Sequence, residues 1–135
     1  MLSVHGLLRA ENLELGRDPD TGGQIKYVLE LAEELSKREE VRKVHLITRS
    51  VEGRNIDDSY REPETRINDK ASIVRLQVGP KRYLKKENLW PYVSEFSDAV
   101  LSHIRSVGER PDIIHGHYAD AGLIGGQVSR LLGLI

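Results

Sequence analysis

Two adjacent glycines followed by an amide, Gly22-Gly23-Gln24, stand where a polar connection meets a helical apolar stripe that begins at Ile25. Asp20 or Thr21 can cap that helix, which places both glycines in its first turn. Unpaired backbone N–H groups and the positive end of the helix dipole point outward there. Without a Cβ at either position, a phosphate or sugar ligand can approach those amides closely. The competing reading, a tight turn into the helix, is the weaker one, because glycine at two early helical positions costs helix stability.

Two more segments carry unusual chemistry. Lys81, Arg82, Lys85 and Lys86 form a basic run behind a strand. Such a run is ordinarily solvated surface, but at the carboxyl end of a strand it is placed to meet phosphate. His115-Gly116-His117 invites a metal reading. Apart from Asp112 or Asp120 no third ligand has useful spacing, so the expectation is no metal, with one histidine packed and the other lining a pocket. Tyr118 and Asp120 follow, a phenol and a carboxylate able to hydrogen-bond sugar hydroxyls. Glu11, Arg17 and Asp18 read first as loop charges.

The elements that must position these residues alternate in period. Leu2-Ser3-Val4 reads as the end of a strand, and Ile25, Val28, Leu29, Ala32 and Leu35 mark a helix from Gln24 to about Arg38. Val41 to Thr48 is a second strand, residues 50 to 70 a polar surface excursion, and Ile73 to Val78 a third strand stopped by Gly79-Pro80. A long helix is expected from Asn88 to about Gly108, with Trp90-Pro91-Tyr92 packed at its start. Asp112 to His115 reads as a fourth strand, Leu123 to Leu132 as a third helix ended by Gly133, and Leu134-Ile135 as the opening of a fifth strand. This alternation implies an α/β fold, a parallel sheet with helices on both faces. Ligands in such sheets bind outside the carboxyl ends of the strands, so the connections Gly6–Gln24, Gly79–Lys86 and His115–Gly122 should converge on one rim.

Composition narrows the partners. With 20 Lys plus Arg against 21 Asp plus Glu in 135 residues, no global basic field gathers nucleic acid or an acidic membrane. No apolar run approaches the ~20 residues of a membrane helix, and no signal-peptide pattern is present. The absence of cysteine fits a reducing cytoplasm. Gly-x-Gly-x-x-Gly, a Walker glycine loop and a Gly-x-Ser-x-Gly elbow are all missing, so dinucleotide redox, P-loop and serine-hydrolase chemistry lack their parts.

The run from His5-Gly6-Leu7 through Glu11-Asn12-Leu13-Glu14-Leu15-Gly16-Arg17-Asp18 to Asp20-Thr21-Gly22-Gly23-Gln24 resembles the opening of the sucrose-phosphate synthases. Leu46-Ile47-Thr48-Arg49, Lys86-Glu87, Leu89-Trp90-Pro91 and His115-Gly116-His117-Tyr118-Ala119-Asp120-Ala121-Gly122 continue the likeness in register. Sucrose synthases share the Asp-Thr-Gly-Gly-Gln part but usually lack the Glu-Asn-Leu-Glu-Leu-Gly-Arg-Asp run, and rank second. Departures are Ala10 for a frequent glycine, Lys85 for a common proline, and a Gly79-to-Tyr83 segment one residue short.

The resemblance implies a two-domain retaining glycosyltransferase of the B type, moving glucose from UDP-glucose to fructose 6-phosphate without a cofactor. Residues 1–135 would be a partial, Rossmann-like, acceptor-binding N-terminal domain. It implies Gly22, Gly23 and Gln24 at the junction of acceptor and donor phosphate, and Lys86 and Tyr118 on the sugar phosphate. Catalytic residues and the donor domain that holds UDP-glucose are expected beyond Ile135, and negligible turnover is expected of the chain alone. A sugar-phosphate-binding module without chemistry is the remaining alternative.

Overall fold

The computed structural model describes residues 1–134. Its centre is a sheet in which β1 (Val44–Arg49) runs parallel to β3 (Ala71–Leu76), with Val44 opposite Ala71 and Arg49 opposite Leu76. The opening residues lie along the free side of β1, where Ser3 N–H donates to the Ile47 carbonyl at 3.0 Å and Ile47 N–H to that of Met1 at 2.9 Å. On their other side Leu2 N–H donates to His115 O and His117 N–H to Leu2 O, so Leu2 bridges Ile47 and Gly116, parallel to both. The parallel direction of these four segments brings residues 5, 49, 78 and 117 to the same rim.

Strand alternation sends residues to two helical layers. Val44, Leu46, Ala71 and Ile73 meet Ile25, Val28, Leu29 and Ala32 of α1 (Gly23–Ser36). Ile47 and Val74, with Leu2 and Val4, meet Phe96 and Val100 of α2 (Val93–Val107) and Ala121, Ile124 and Val128 of α3 (Tyr118–Leu132). Helices therefore cover both faces, as the alternation implies.

Four expectations change. The sheet is mixed, because β2 (Glu64–Arg66), inside the supposed surface excursion, pairs antiparallel with β3. That excursion also buries Tyr60, which closes a small cluster with Leu7 and Val51. Asp112 to His115 forms no strand; Ile113 is 80% exposed, and the segment keeps only the bridge at Gly116. The second helix starts at Val93 after two short 3-10 turns rather than at Asn88, with Trp90 half exposed and the neighbouring Leu89 buried instead. The third helix starts at Tyr118, five residues early, and ends at Gly133 with φ 63°. Leu134 N–H donates to Ser129 O within that helix end, and Ile135 lies outside the described residues.

Candidate functional site

The connection from Gly6 to Gln24 folds back on itself through its own polar groups. The Asp18 carboxylate accepts from the N–H groups of Asp20 and Thr21, from the Thr21 hydroxyl at 2.7 Å, and from the Tyr83 hydroxyl at 2.6 Å. Burial pushes its pKa up, but the bonds from Tyr83, Thr21 and the backbone outweigh burial and hold it below the usual carboxylate range. Thr21 Oγ1 also accepts from Leu7 N–H at 3.1 Å, which closes the loop. Neither Asp20 nor Thr21 caps α1 as expected. The N-cap is Gly22, without a side-chain bond, because both side chains are engaged elsewhere.

Asp20 is the link to the second segment. Its buried carboxylate accepts from Lys86 N–H at 2.8 Å and stands 3.6 Å from Lys86 Nζ. The Lys86 ammonium lies 5.4 Å from the centre of the Tyr118 ring. The Tyr118 phenol first, with Asp20 and Glu87 after it, holds the lysine pKa above its ordinary value. Gly22, Gly23 and Gln24, two to four residues past Asp20, therefore share the rim with Lys86 and Tyr118. Gln24 reaches across its base, donating to Ser3 Oγ at 3.4 Å.

Within the basic run it is Lys86 that contacts this rim. Lys81 pairs with Glu52 at 2.9 Å, while the Arg82 carbonyl accepts from Arg49 at 2.7 Å. Arg49, buried at the end of β1, also donates to the carbonyls of Val78 and Pro80 and so wraps the 78–82 loop around its guanidinium. Burial lowers its pKa from the free value. A cleft of about 380 Å³ opens nearby between Arg9, Glu14, Arg17 and residues 54–57. Its Arg9 and Arg17 are spent on joining two loops, Arg9 to Asn12 O and Ser59, Arg17 to Glu14 and Asn55 O. Glu14 in turn accepts from the buried Tyr60 hydroxyl, so Glu14, Arg17 and Asp18 are structural, the loop role read for Arg17 and Asp18 above.

The third segment departs furthest from expectation. Asp120 is 2% exposed and does not reach the rim surface. Its Oδ2 lies 3.0 Å from His5 Nδ1, and its Oδ1 accepts from Ala121 N–H. His5, which sequence reasoning passed over, is 4% exposed and meets the Tyr118 ring edge to face at 4.8 Å. The only hint in the sequence is a histidine at a strand's carboxyl end. Of the other pair, His117 is packed and His115 exposed, their rings 4.2 Å apart. Burial first, then His115, pushes the His117 pKa down to about 4, and its Nε2 has no hydrogen-bond partner. No helix among the described residues is long and apolar enough to cross a membrane.

Residues 22–134 match the glycosyl transferase 4-like domain. Over 99% of its length the chain is 46% identical to a sucrose-phosphate synthase of Zea mays and 43% identical to a probable sucrose-phosphate synthase 2 of Oryza sativa subsp. japonica. It spans only 15% and 17% of those two proteins. Its fold superposes on a sucrose-phosphate synthase from Thermosynechococcus elongatus with a TM-score of 0.75 at 27% identity, covering 96% of this chain and 29% of that one. A chain with this rim, this Rossmann-like α/β core and these homologues belongs to the glycosyl transferase 4-like family, and corresponds to the N-terminal, B-type part of sucrose-phosphate synthases.

Proposed function

We propose that this chain is the acceptor-side part of a retaining glycosyltransferase that makes sucrose 6-phosphate from UDP-glucose and fructose 6-phosphate. The observation that carries the reading is the Asp20–Lys86 contact, which sets one ammonium and the Tyr118 phenol beside the glycines at the head of α1. An ammonium with a phenol beside it suits a sugar phosphate: Lys86 meets the phosphate as a point charge, Tyr118 offers a hydroxyl, and the backbone at Gly22 and Gly23 admits anionic oxygens. The homologues carry most of their length outside the matched region, and UDP-glucose binding and the chemical step belong there. On this reading the chain alone turns over negligibly, because stabilising the departing diphosphate is a main electrostatic task of glycosyl transfer.

Titration calorimetry with fructose 6-phosphate, fructose and UDP-glucose tests this. Fructose 6-phosphate should bind selectively, and Lys86→Ala should weaken it by about tenfold or more, as loss of a charged hydrogen bond does. Equal binding of fructose would point instead to a free-sugar acceptor, as in sucrose synthases.

A further inference from the structure

Asp120 and His5 are 115 residues apart, yet they form a buried carboxylate–imidazole pair directly under the exposed ring of Tyr118. A carboxylate accepts only, so the His5 hydrogen sits on Nδ1 and its ring orientation is fixed by Asp120. Both partners stand near closely packed backbone. Gly6, next to His5, has φ 80°, and a Cβ there would lie 2.4 Å from Asp20 O. Gly116, below the start of α3, is packed so closely that a Cβ would lie 2.5 Å from Ala121 O. Tyr118 itself has φ 75°, a left-handed conformation that an aromatic residue rarely adopts. A strained residue at a rim persists only where its surroundings over-determine it. Here the over-determination has named parts: the helix it opens, the His5 ring 4.8 Å away, and the Lys86 ammonium.

A buried carboxylate bonded to an imidazole is also a poor way to gain stability alone, since its desolvation is costly and apolar residues of similar volume often serve as well. The geometry therefore points to a positioning role. We propose that Asp120 and His5 are positioning residues of the acceptor site: Asp120 orients His5, and His5 holds the Tyr118 ring where it faces the bound sugar phosphate beside Lys86. Asp120 then acts through His5 rather than by touching a sugar hydroxyl. This rests on the acceptor-site reading above.

The test is a double-mutant cycle on the full chain, read as fructose 6-phosphate affinity by calorimetry, with thermal unfolding run on each variant. His5→Phe keeps a ring of similar shape and loses the bond to Asp120; Tyr118→Ala removes the ring it supports. Each should weaken binding about tenfold, and the double variant should be no worse than Tyr118→Ala alone, the mark of residues acting as a unit. Asp120→Asn, which retains an acceptor for His5 Nδ1–H, should keep most of the affinity that Asp120→Leu loses. The hydrogen-bonded Nδ1–H resonance of His5 should persist in the first and vanish in the second. If Asp120→Leu fails to fold, the His5–Tyr118 cycle decides. Additive effects, or His5→Phe binding like the parent, overturn the inference and leave the acceptor site intact. A parent chain that binds no fructose 6-phosphate removes both.

Discussion

Gly6 and Gly116 belong to the two segments bridged beside β1 at the edge of the sheet, while Gly22 and Gly23 open α1, and the two pairs answer opposite needs. At the sheet edge the fold itself demands glycine. A Cβ on Gly6 would meet Asp20 O at 2.4 Å and Ile25 Cδ1 at 2.9 Å, and one on Gly116 would meet Ala121 O at 2.5 Å. At the head of α1 nothing lies within 4 Å of either Cβ position, and neither residue has a positive φ. Neither close packing nor a left-handed backbone requires glycine there. On the reading proposed above, the open space at Gly22 and Gly23 is where the acceptor phosphate enters.

The strongest way to break this contrast is to fill the sheet-edge glycines. Gly6→Ala combines overpacking against backbone with a left-handed φ, so it should lose about 4 kcal/mol of stability, and Gly116→Ala about 3 kcal/mol. Urea unfolding checks this as a lower midpoint at unchanged slope. Variants as stable as the parent would show that the close approach of the rim segments is not what these glycines provide.

How much of this was legible beforehand depends on the range of the interaction. The α1 stripe is a repeat within one helix, and Ile25, Val28, Leu29 and Ala32 are buried as the period requires. The convergence of three connections follows from parallel strand direction, and Lys86 beside both Asp20 and Tyr118 bears it out. Asp112 to His115 looked like a strand because Ile113-Ile114 is apolar, but with a partner only on the Leu2 side it makes just one bridge. β2 is three residues long, too short for alternation to register, and is held by β3 from outside. Arg49 and Arg75 were invisible as organisers, because a guanidinium buried at a strand binds carbonyls of loops far along the chain. Arg75 reaches Leu8 O, and Arg49 Pro80 O. The His5–Asp120 pair is the extreme case, a contact that local pattern cannot encode.

The two histidines flanking Gly116 sharpen the comparison through pH. His115 is exposed, whereas burial depresses the His117 pKa from the ordinary 6.5 to about 4. The folded state thus binds fewer protons at His117 than the unfolded chain does. Its contribution is fully present above pH 6.5 and is lost progressively as the pH falls towards 4, about 3 kcal/mol in all. Burial also depresses His45 and His103, which face each other at 3.1 Å, so acid lability has the same sign at the far end of the sheet. Comparing pH 7 and pH 4 unfolding of the parent with His117→Phe isolates the His117 share. An unchanged difference between the two pH values would mean that His117 is solvated.

The smallest stability effect is the most informative. Gly23→Ala replaces the poorest ordinary helix former with the best at the first position of α1, and the added methyl meets no protein atom. Stability should therefore hold or rise by up to about 1 kcal/mol, because the unfolded chain loses freedom. Gly22→Ala, at the extended N-cap, where glycine is preferred to alanine, should lose up to about 1 kcal/mol, well short of the losses at Gly6 and Gly116. Fructose 6-phosphate affinity should nevertheless fall in both, since each methyl occupies the space through which a phosphate would reach the exposed amides. Urea unfolding and calorimetry on the same samples separate the two quantities. A loss as large as those at Gly6 and Gly116 would place these glycines with them as parts of the fold. Unchanged stability with unchanged binding would leave the pair without a purpose in the acceptor site and move the phosphate contact to Lys86 alone. Only the combination of kept stability and lost affinity assigns the open space at the head of α1 to a ligand.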